Sequence, residues 1–251
     1  MVIQADAEQE TRRLIDAAQS RGICLRPVGG LAMKIHCPSA GLLQLKRSYA
    51  DIDMVCDKPG GRNLEKFLPE QGYIPDRPFN TLNGDRRQLY QDEYNQRQLD
   101  VFIGDFEMCH KIPLSARLYA DSLSVPLAEL FLTKAQIVQL NHKDLLDMLA
   151  LLIDHPVGAS DMETINQDII GGLCARDWGL FTTVSISLQK LTDFLACNSL
   201  NLGKAQIQLA LDRISAIQRV MDGAPKTLAW KARSKIGKRL RWYEEVEEVR
   251  R

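Results

Sequence analysis

The chain has 251 residues, 45% of them hydrophobic and 25% charged, with 32 basic side chains against 32 acidic ones. This is the make-up of a globular protein with room for one large domain or two small ones, and it excludes a disordered or fibrous chain. A formal net charge of zero excludes a whole-molecule pull toward nucleic acid or anionic membrane, so any such partner must be met by a local patch.

The densest apolar run, 148–153, is far short of a membrane span, and the first residues carry acids and amides without an apolar core. The expectation is therefore a cytoplasmic protein with no membrane partner. Cys24, Cys37, Cys56, Cys109, Cys174 and Cys197 show no C-x-x-C spacing and mostly sit inside apolar runs, which reads as buried reduced thiols. Cys109-His110 and His36-Cys37 lack a partner pair at zinc-ligand spacing, so no zinc is expected.

In chain order, residues 5–22 place Leu14, Ile15 and Ala18 at helical spacing and stop at Gly22. Residues 23–28 read as a strand that breaks at Gly29-Gly30, and 31–35 as a short helix behind the break. Residues 37–50 hold Pro38, Gly41 and the basic pair Lys46-Arg47, a loop by its punctuation. A strand over 51–56, a turn over 57–61 and a helix over 63–71 ended by Gly72 follow. The text then turns strand-like at 73–74, 79–82, 87–90 and 98–103, with Asn83-Gly84 as a hairpin signal. Strands joined so closely should be antiparallel neighbours. From Ser124 helical periodicity takes over, predicting helices at 127–140, 143–154, 162–175, 182–196, 202–221 and 226–248. Strands first and helices second predict an α+β domain over 1–123 leading into a helical domain over 124–251.

The chemistry centres on Val28-Gly29-Gly30-Leu31-Ala32 and, after an irregular interval, Asp51-Ile52-Asp53-Met54-Val55. Residues two apart in a strand share a side, so Asp51 and Asp53 should project together while their neighbours join a core. The amino end of the short helix presents free backbone N–H groups and favours phosphate. Gln98-Leu99-Asp100-Val101-Phe102 places one more acid among apolar neighbours. A lone acid there is ordinarily an edge or capping residue. If Asp100 pairs beside Asp51-Ile52-Asp53, three carboxylates converge, and their repulsion calls for cations between them. Magnesium suits hard carboxylate oxygens with room for water and phosphate.

A glycine pair at a helix start, then paired acids on a strand, then a later acid on another strand, resembles the nucleotidyltransferase superfamily typified by DNA polymerase β. Its hallmark is h-G-(G/S) before D-h-(D/E)-h with a third distant acid, matched here by Gly29, Gly30, Asp51, Asp53 and Asp100. The stretch from Leu127 to Lys134 and the segment Asn141-His142-Lys143-Asp144-Leu145-Leu146-Asp147 look like further motifs of one branch. They are similar to the lysine-bearing helix and the (K/R)-D-x-x-D-(I/L/M) segment of abortive-infection-type toxin nucleotidyltransferases and their uncharacterised relatives.

The resemblance, which covers about the first 155 residues, implies a nucleotidyltransferase fold: a mixed or antiparallel sheet with flanking helices, followed by a C-terminal helical domain. It implies Mg2+-dependent transfer of a nucleoside monophosphate from a nucleoside triphosphate to a hydroxyl on RNA, a protein or a small molecule. Asp51, Asp53 and Asp100 would be the catalytic and metal-holding acids, with Asp100 as general base. Gly29, Gly30, Lys134 and Asp144 would hold the nucleotide. For Lys134 and Asp144 the residues alone also fit an exposed amphipathic helix in which Lys143 pairs with Asp147 four positions on. The chain departs from the pattern at Leu31, where many members carry serine or threonine, and in its long interval from Gly30 to Asp51. That insertion leaves Arg47 as a phosphate ligand or as part of a solvated basic loop.

Near the carboxyl end Lys226, Lys231, Arg233, Lys235, Lys238, Arg239 and Arg241 run without an acid, interleaved with Trp230, Trp242 and Tyr243. Such a pattern can track a nucleic-acid backbone, but the acids from Glu244 to Glu248 reverse its sign and favour an ordinary solvated helix. Trp178-Gly179-Leu180-Phe181 reads as helical core. Two other functions compete: a non-catalytic nucleotide-binding or interaction protein that keeps the fold, and a helical module that binds through its basic tail.

Overall fold

Apolar residues alternate at Ile52, Met54 and Cys56 and again at Leu99, Val101 and Ile103, and these two strands form the centre of a mixed sheet. In the computed structural model, residues 3–245 other than Asn198 are described, and they form an α+β architecture of two compact units. The first unit takes the chain up to His36, then Arg47–Phe106 and Ile112–Pro126. The second takes the chain from Leu127 onward together with Cys37–Lys46 and Glu107–Lys111.

In the first unit the order is α1 (Ala7–Gln19), β1 (Leu25–Val28), α2 (Gly29–His36), β2 (Ile52–Cys56), α3 (Lys58–Gly61) and α4 (Leu64–Glu70). Then come β3 (Ile74–Pro75), α5 (Arg77–Asn83), β4 (Arg87–Asp92) and β5 (Arg97–Ile103). The sheet order is β1-β2-β5-β4-β3. β2 and β5 are parallel, whereas β1 on β2, β4 on β5 and β3 on β4 are antiparallel. Leu14, Ala18, Leu64, Phe67 and Leu68 join the alternating residues of β2 and β5 in one buried cluster. With a period of two, Asp53 and Asp100 project from the opposite face.

α1 starts where the Asp6 side chain accepts from the Gln9 N–H at 2.9 Å, and its Glu10 is fully buried. Arg13 Nη2 donates to Glu10 at 2.7 Å and Tyr73 Oη donates to it at 3.0 Å, so the charge is compensated where it is buried. A second such pair lies at the β4–β5 turn: Arg97 Nη2 donates to Asp92 at 2.8 Å and to the Gln4 carbonyl at 2.9 Å.

A two-stranded ribbon, β6 (Phe106–Glu107) with β7 (Lys111–Ile112), follows the sheet. The second unit contains α6 (Leu127–Ala135), α7 (His142–Asp154), the parallel pair β8 (Val157–Gly158) and β9 (Ile165–Asn166), α8 (Gln167–Arg176), α9 (Trp178–Cys197), α10 (Lys204–Gly223) and α11 (Leu228–Ile236). Asn141 begins α7 with a reciprocal cap: its side chain accepts from Asp144 N–H, and the Asp144 carboxylate accepts from Asn141 N–H. Among the described residues no helix is long and apolar enough to cross a membrane. Five of the six cysteines are buried and Cys197 is exposed.

Several expected elements change. Residues 79–82 are helical, not a strand, and Asn83-Gly84 ends that helix instead of turning a hairpin. The Asp76 side chain accepts from Phe79 N–H at 3.0 Å and Pro78 occupies the first turn, which is helix-start chemistry. Asn80 then bonds both backbone groups of Leu89, at 2.7 and 3.1 Å, docking the helix on β4. Gly29 and Gly30 form the first turn of α2 instead of preceding it, and residues 58–61 make a one-turn helix capped by Asp57. The expected loop over 37–50 includes a 3-10 turn at Pro38–Gly41. α6 stops at Ala135, not at residue 140, and residues 162–164 precede β9 instead of opening a helix. α9 starts four residues early because Asp177 caps it, accepting from Gly179 N–H at 2.7 Å. The expected helix over 226–248 is helical only at Leu228–Ile236 before a 3-10 turn, and its last part, 246–248, lies outside the described residues.

Asp92→Ala would leave the Arg97 guanidinium buried without its carboxylate. Its unfolding free energy in urea should fall by about 3–5 kcal/mol relative to wild type. A loss below about 1 kcal/mol would show that the pair is not the anchor of this turn.

Candidate metal and nucleotide site

β2 and β5 set two of the predicted acids side by side. Asp53 is the direct register partner of Asp100 on the neighbouring parallel strand, about 4.8 Å away along the hydrogen-bonding direction. Asp51 stands in a bend one residue before β2 starts, so it does not share the strand geometry of Asp53. It still lies within electrostatic reach of Asp100, whose proton affinity its charge helps to raise. Among the described residues the three carboxylates do not bring one oxygen each within 4.8 Å of one another.

Asp100 is instead engaged by a residue that carries no motif in the sequence. Arg87, at the start of β4, donates from Nε to both oxygens of Asp100, at 2.9 and 3.1 Å, and from Nη2 to Oδ2. Burial raises the Asp100 pKa above the usual aspartate value, Arg87 works to lower it, and burial outweighs the pairing. Burial also works to lower the Arg87 pKa, but the bonds to Asp100 and the nearby charges of Asp100 and Asp53 hold it above its ordinary value. Its stem lies beside Phe102, with the guanidinium 5.0 Å from that ring and 6.0 Å from Phe79. In sequence Arg87 is only the first residue of an expected strand; its role follows from the β4–β5 register, which places it diagonally from Asp100.

Opposite the acids is the start of α2. Val28 pairs with Asp53 in the β1–β2 register, so the chain enters the helix directly beside that carboxylate. Gly29 has φ +67°, and a Cβ built on it would meet Asp53 Oδ2 at 2.6 Å. A Cβ on Gly30 would fall 1.8 Å from Arg47 Nη2. Arg47 therefore roofs the helix start, its guanidinium 4.2 Å from the Tyr49 ring and its Nη1 donating to the Ser48 carbonyl at 3.1 Å. Lys34 lies 5.6 Å from the same ring and pairs with Glu8 at 3.3 Å. Gly29, Gly30, Arg47, Asp51, Asp53 and Asp100 are thus all in the first unit, five of them tied to one another through Arg87, Asp53 and the α2 start.

Lys134 and Asp144 belong to the second unit. Lys134 Nζ sits 3.0 Å from Asp144 Oδ1 and 3.0 Å from Asp147 Oδ2, with all three side chains largely buried between α6 and α7. The alternative pairing of Asp147 with Lys143 does not form; Asp147 turns inward to Lys134. A lysine held by two carboxylates is charge compensation first, and a phosphate would have to compete with both.

The basic tail is also partly committed to structure. Lys226 Nζ donates to the Ala224 carbonyl at 2.9 Å at the end of α10, and Arg233 donates to the Gly237 and Leu240 carbonyls at 2.7 and 2.9 Å while stacking 4.8 Å from the Trp178 ring. Trp242 Nε1 donates to Thr183 at 3.0 Å. The Trp178–Phe181 stretch accordingly meets α11: Phe181 lies 5.4 Å from Trp230.

Compared with known proteins, the chain matches no protein-family model and no curated protein.

Two outcomes follow from these geometries. Gly29→Ala forces an alanine into a left-handed conformation and against Asp53, and should lower stability by about 1–3 kcal/mol in a denaturant melt. Lys134→Met would remove the cation that Asp144 and Asp147 share, and should cost about 3–5 kcal/mol by the same measurement. Wild-type stability of Lys134→Met would release that lysine from its structural role.

Proposed function

We propose that this chain is a Mg2+-dependent nucleotidyltransferase that moves a nucleoside monophosphate from a nucleoside triphosphate to a hydroxyl of RNA, a protein or a small molecule. One observation carries the reading: Asp53 and Asp100 are register partners on parallel strands, beside a helix that begins at Gly29-Gly30. The mixed sheet with antiparallel outer strands supports the nucleotidyltransferase fold.

Asp51, Asp53 and Asp100 offer the hard oxygen donors that magnesium takes, with no sulfur or imidazole among them, although among the described residues they are not gathered into one ligand set. Asp51, Asp53 and Asp100 are the residues that would hold it. When bound, magnesium would neutralise triphosphate charge and make the acceptor hydroxyl more acidic. The residues of the chain supply the rest. The α2 amino end offers backbone N–H groups to phosphate oxygens, in place of the hydroxyl that Leu31 lacks. Arg47 above Gly30 presents a guanidinium to the same place. Asp100, whose proton affinity burial raises, is the carboxylate suited to take the acceptor proton.

The engagement of both Asp100 oxygens by Arg87 favours a second reading, a non-catalytic nucleotide-binding protein in which an arginine has replaced the metal as counter-charge. Incubation with each α-labelled nucleoside triphosphate, magnesium, a cell RNA extract and the protein itself separates the two. Label should move to a macromolecule or small acceptor, and Asp53→Asn should reduce that transfer by about two to three orders of magnitude without loss of fold. Nucleotide binding without any transfer supports the second reading, and transfer at the wild-type rate in Asp53→Asn overturns the first.

A further inference from the structure

Helix α11 carries large apolar side chains that the second unit does not bury. Leu228 is 84% exposed, Ile236 43% and, just past the helix, Leu240 60%. Helical spacing decides which residues share a side. Trp230 and Arg233, three apart, turn inward to α9, Trp230 to the Phe181 ring at 5.4 Å and Arg233 to the Trp178 ring at 4.8 Å. Leu228, Ala232 and Ile236, four apart, therefore form a stripe on the outer side, with Lys231 and Lys235 along its edge. All five are exposed.

This exposure does not come from a loose segment. Before the helix, Thr227 N–H donates to the Ala175 carbonyl at 3.1 Å. After it, Trp242 Nε1 donates to Thr183 at 3.0 Å and Glu244 N–H donates to the Cys109 carbonyl at 3.0 Å. The stretch is fastened at both ends with its aliphatic side outward. Its charge is of one sign. From Gly223 to Tyr243 there is no acid, and Glu245 is taken up by Arg241 at 2.8 Å. Among the described residues Lys231, Lys235, Lys238 and Arg239 are exposed and pair with no acid.

Aliphatic side chains edged by lysines suit a surface that is apolar beneath and anionic on top: acyl chains take the leucine and isoleucine while the ammonium groups reach headgroup phosphates. RNA suits this face less, because Trp230 and Trp242, which could stack bases, are held inward, and an aliphatic stripe offers nothing to a phosphate backbone. A second copy also suits it less, since two such faces bring like charges together. Lying on a bilayer needs only a face and no membrane-crossing helix. We propose that the outer side of α11, with the turn that follows it, docks the protein on a bilayer containing anionic phospholipid. This reading does not rest on the acids of the first unit.

The test sediments the full chain with vesicles of phosphatidylcholine, alone or with about a third phosphatidylglycerol. Wild type should bind the anionic vesicles roughly tenfold or more tightly than the neutral ones, and added salt should weaken that binding. Lys231→Glu/Lys235→Glu should lose the preference for anionic vesicles. Leu228→Ser/Ile236→Ser keeps the lysines and should bind the anionic vesicles roughly tenfold more weakly than wild type. Either double variant carries the test if the other does not fold. Lys66→Glu, which alters an exposed lysine of the first unit, should bind as wild type does. Equal binding to the two kinds of vesicle, or wild-type binding in a double variant, overturns the proposal. Retention on single-stranded RNA that Leu228→Ser/Ile236→Ser keeps, with no vesicle binding by wild type, assigns the face to nucleic acid and overturns it too. A wild-type dimer in size-exclusion chromatography that the same variant dissolves, again with no vesicle binding, assigns the face to a second copy and has the same consequence.

Discussion

The pairing of β2 with β5 sets the spacing of Asp53 and Asp100, and the backbone ladder that fixes it is indifferent to the like charges it brings together. At such a separation in a partly desolvated site the repulsion is worth several times what it would be in water. The surrounding structure answers that repulsion. β4 supplies Arg87 to Asp100, and the left-handed turn at Gly29 lets the helix amino end approach Asp53 with its positive dipole. Glycine placement and arginine placement are two answers to the electrostatic demand that the strand register creates.

The same rule of local compensation runs through both units. Glu10 is buried with Arg13 and Tyr73, Asp92 with Arg97, and Lys134 with Asp144 and Asp147. Each is a buried charge compensated by its partners, and Tyr73 on Glu10, Arg97 on Asp92 and Lys134 on its two acids also tie separate stretches of chain together, so removing one member strands the other. What distinguishes the Arg87–Asp100 pair is its setting: Asp53 is the register partner of Asp100, Asp51 lies within electrostatic reach, and the start of α2 approaches Asp53.

The elements legible in the sequence were those whose signals are local. Leu14, Ile15 and Ala18 at helical spacing gave α1, and the apolar run around Leu99, Val101 and Ile103 gave β5; that Asp100 takes the face away from the core came from the structure. The segment 79–82 went wrong because Phe79 and Leu82 look strand-like, while the deciding group was the Asp76 side chain three residues before. Residues 162–164 failed for the opposite reason: apolar periodicity runs through them, but Asn166 caps the helix only after β9 has paired with β8. Lys134 and Asp144 were picked out by a motif, and the motif did not say that Asp147 would complete a buried triad with them.

By itself the sequence determined which residues could do chemistry: where carboxylates lie among apolar neighbours, where glycines permit a close approach, and which stretches with strong local periodicity are helix or strand. Those properties depend on side-chain type and on spacings of two to four residues, which the chain carries in linear order. Only the tertiary structure decided that β5 lies parallel to β2 with Asp100 opposite Asp53, and that β4 brings Arg87 onto the third acid. Register and strand order are set by long-range pairing and by burial of a shared core, and a one-residue slip would have turned every one of these side chains to the other face.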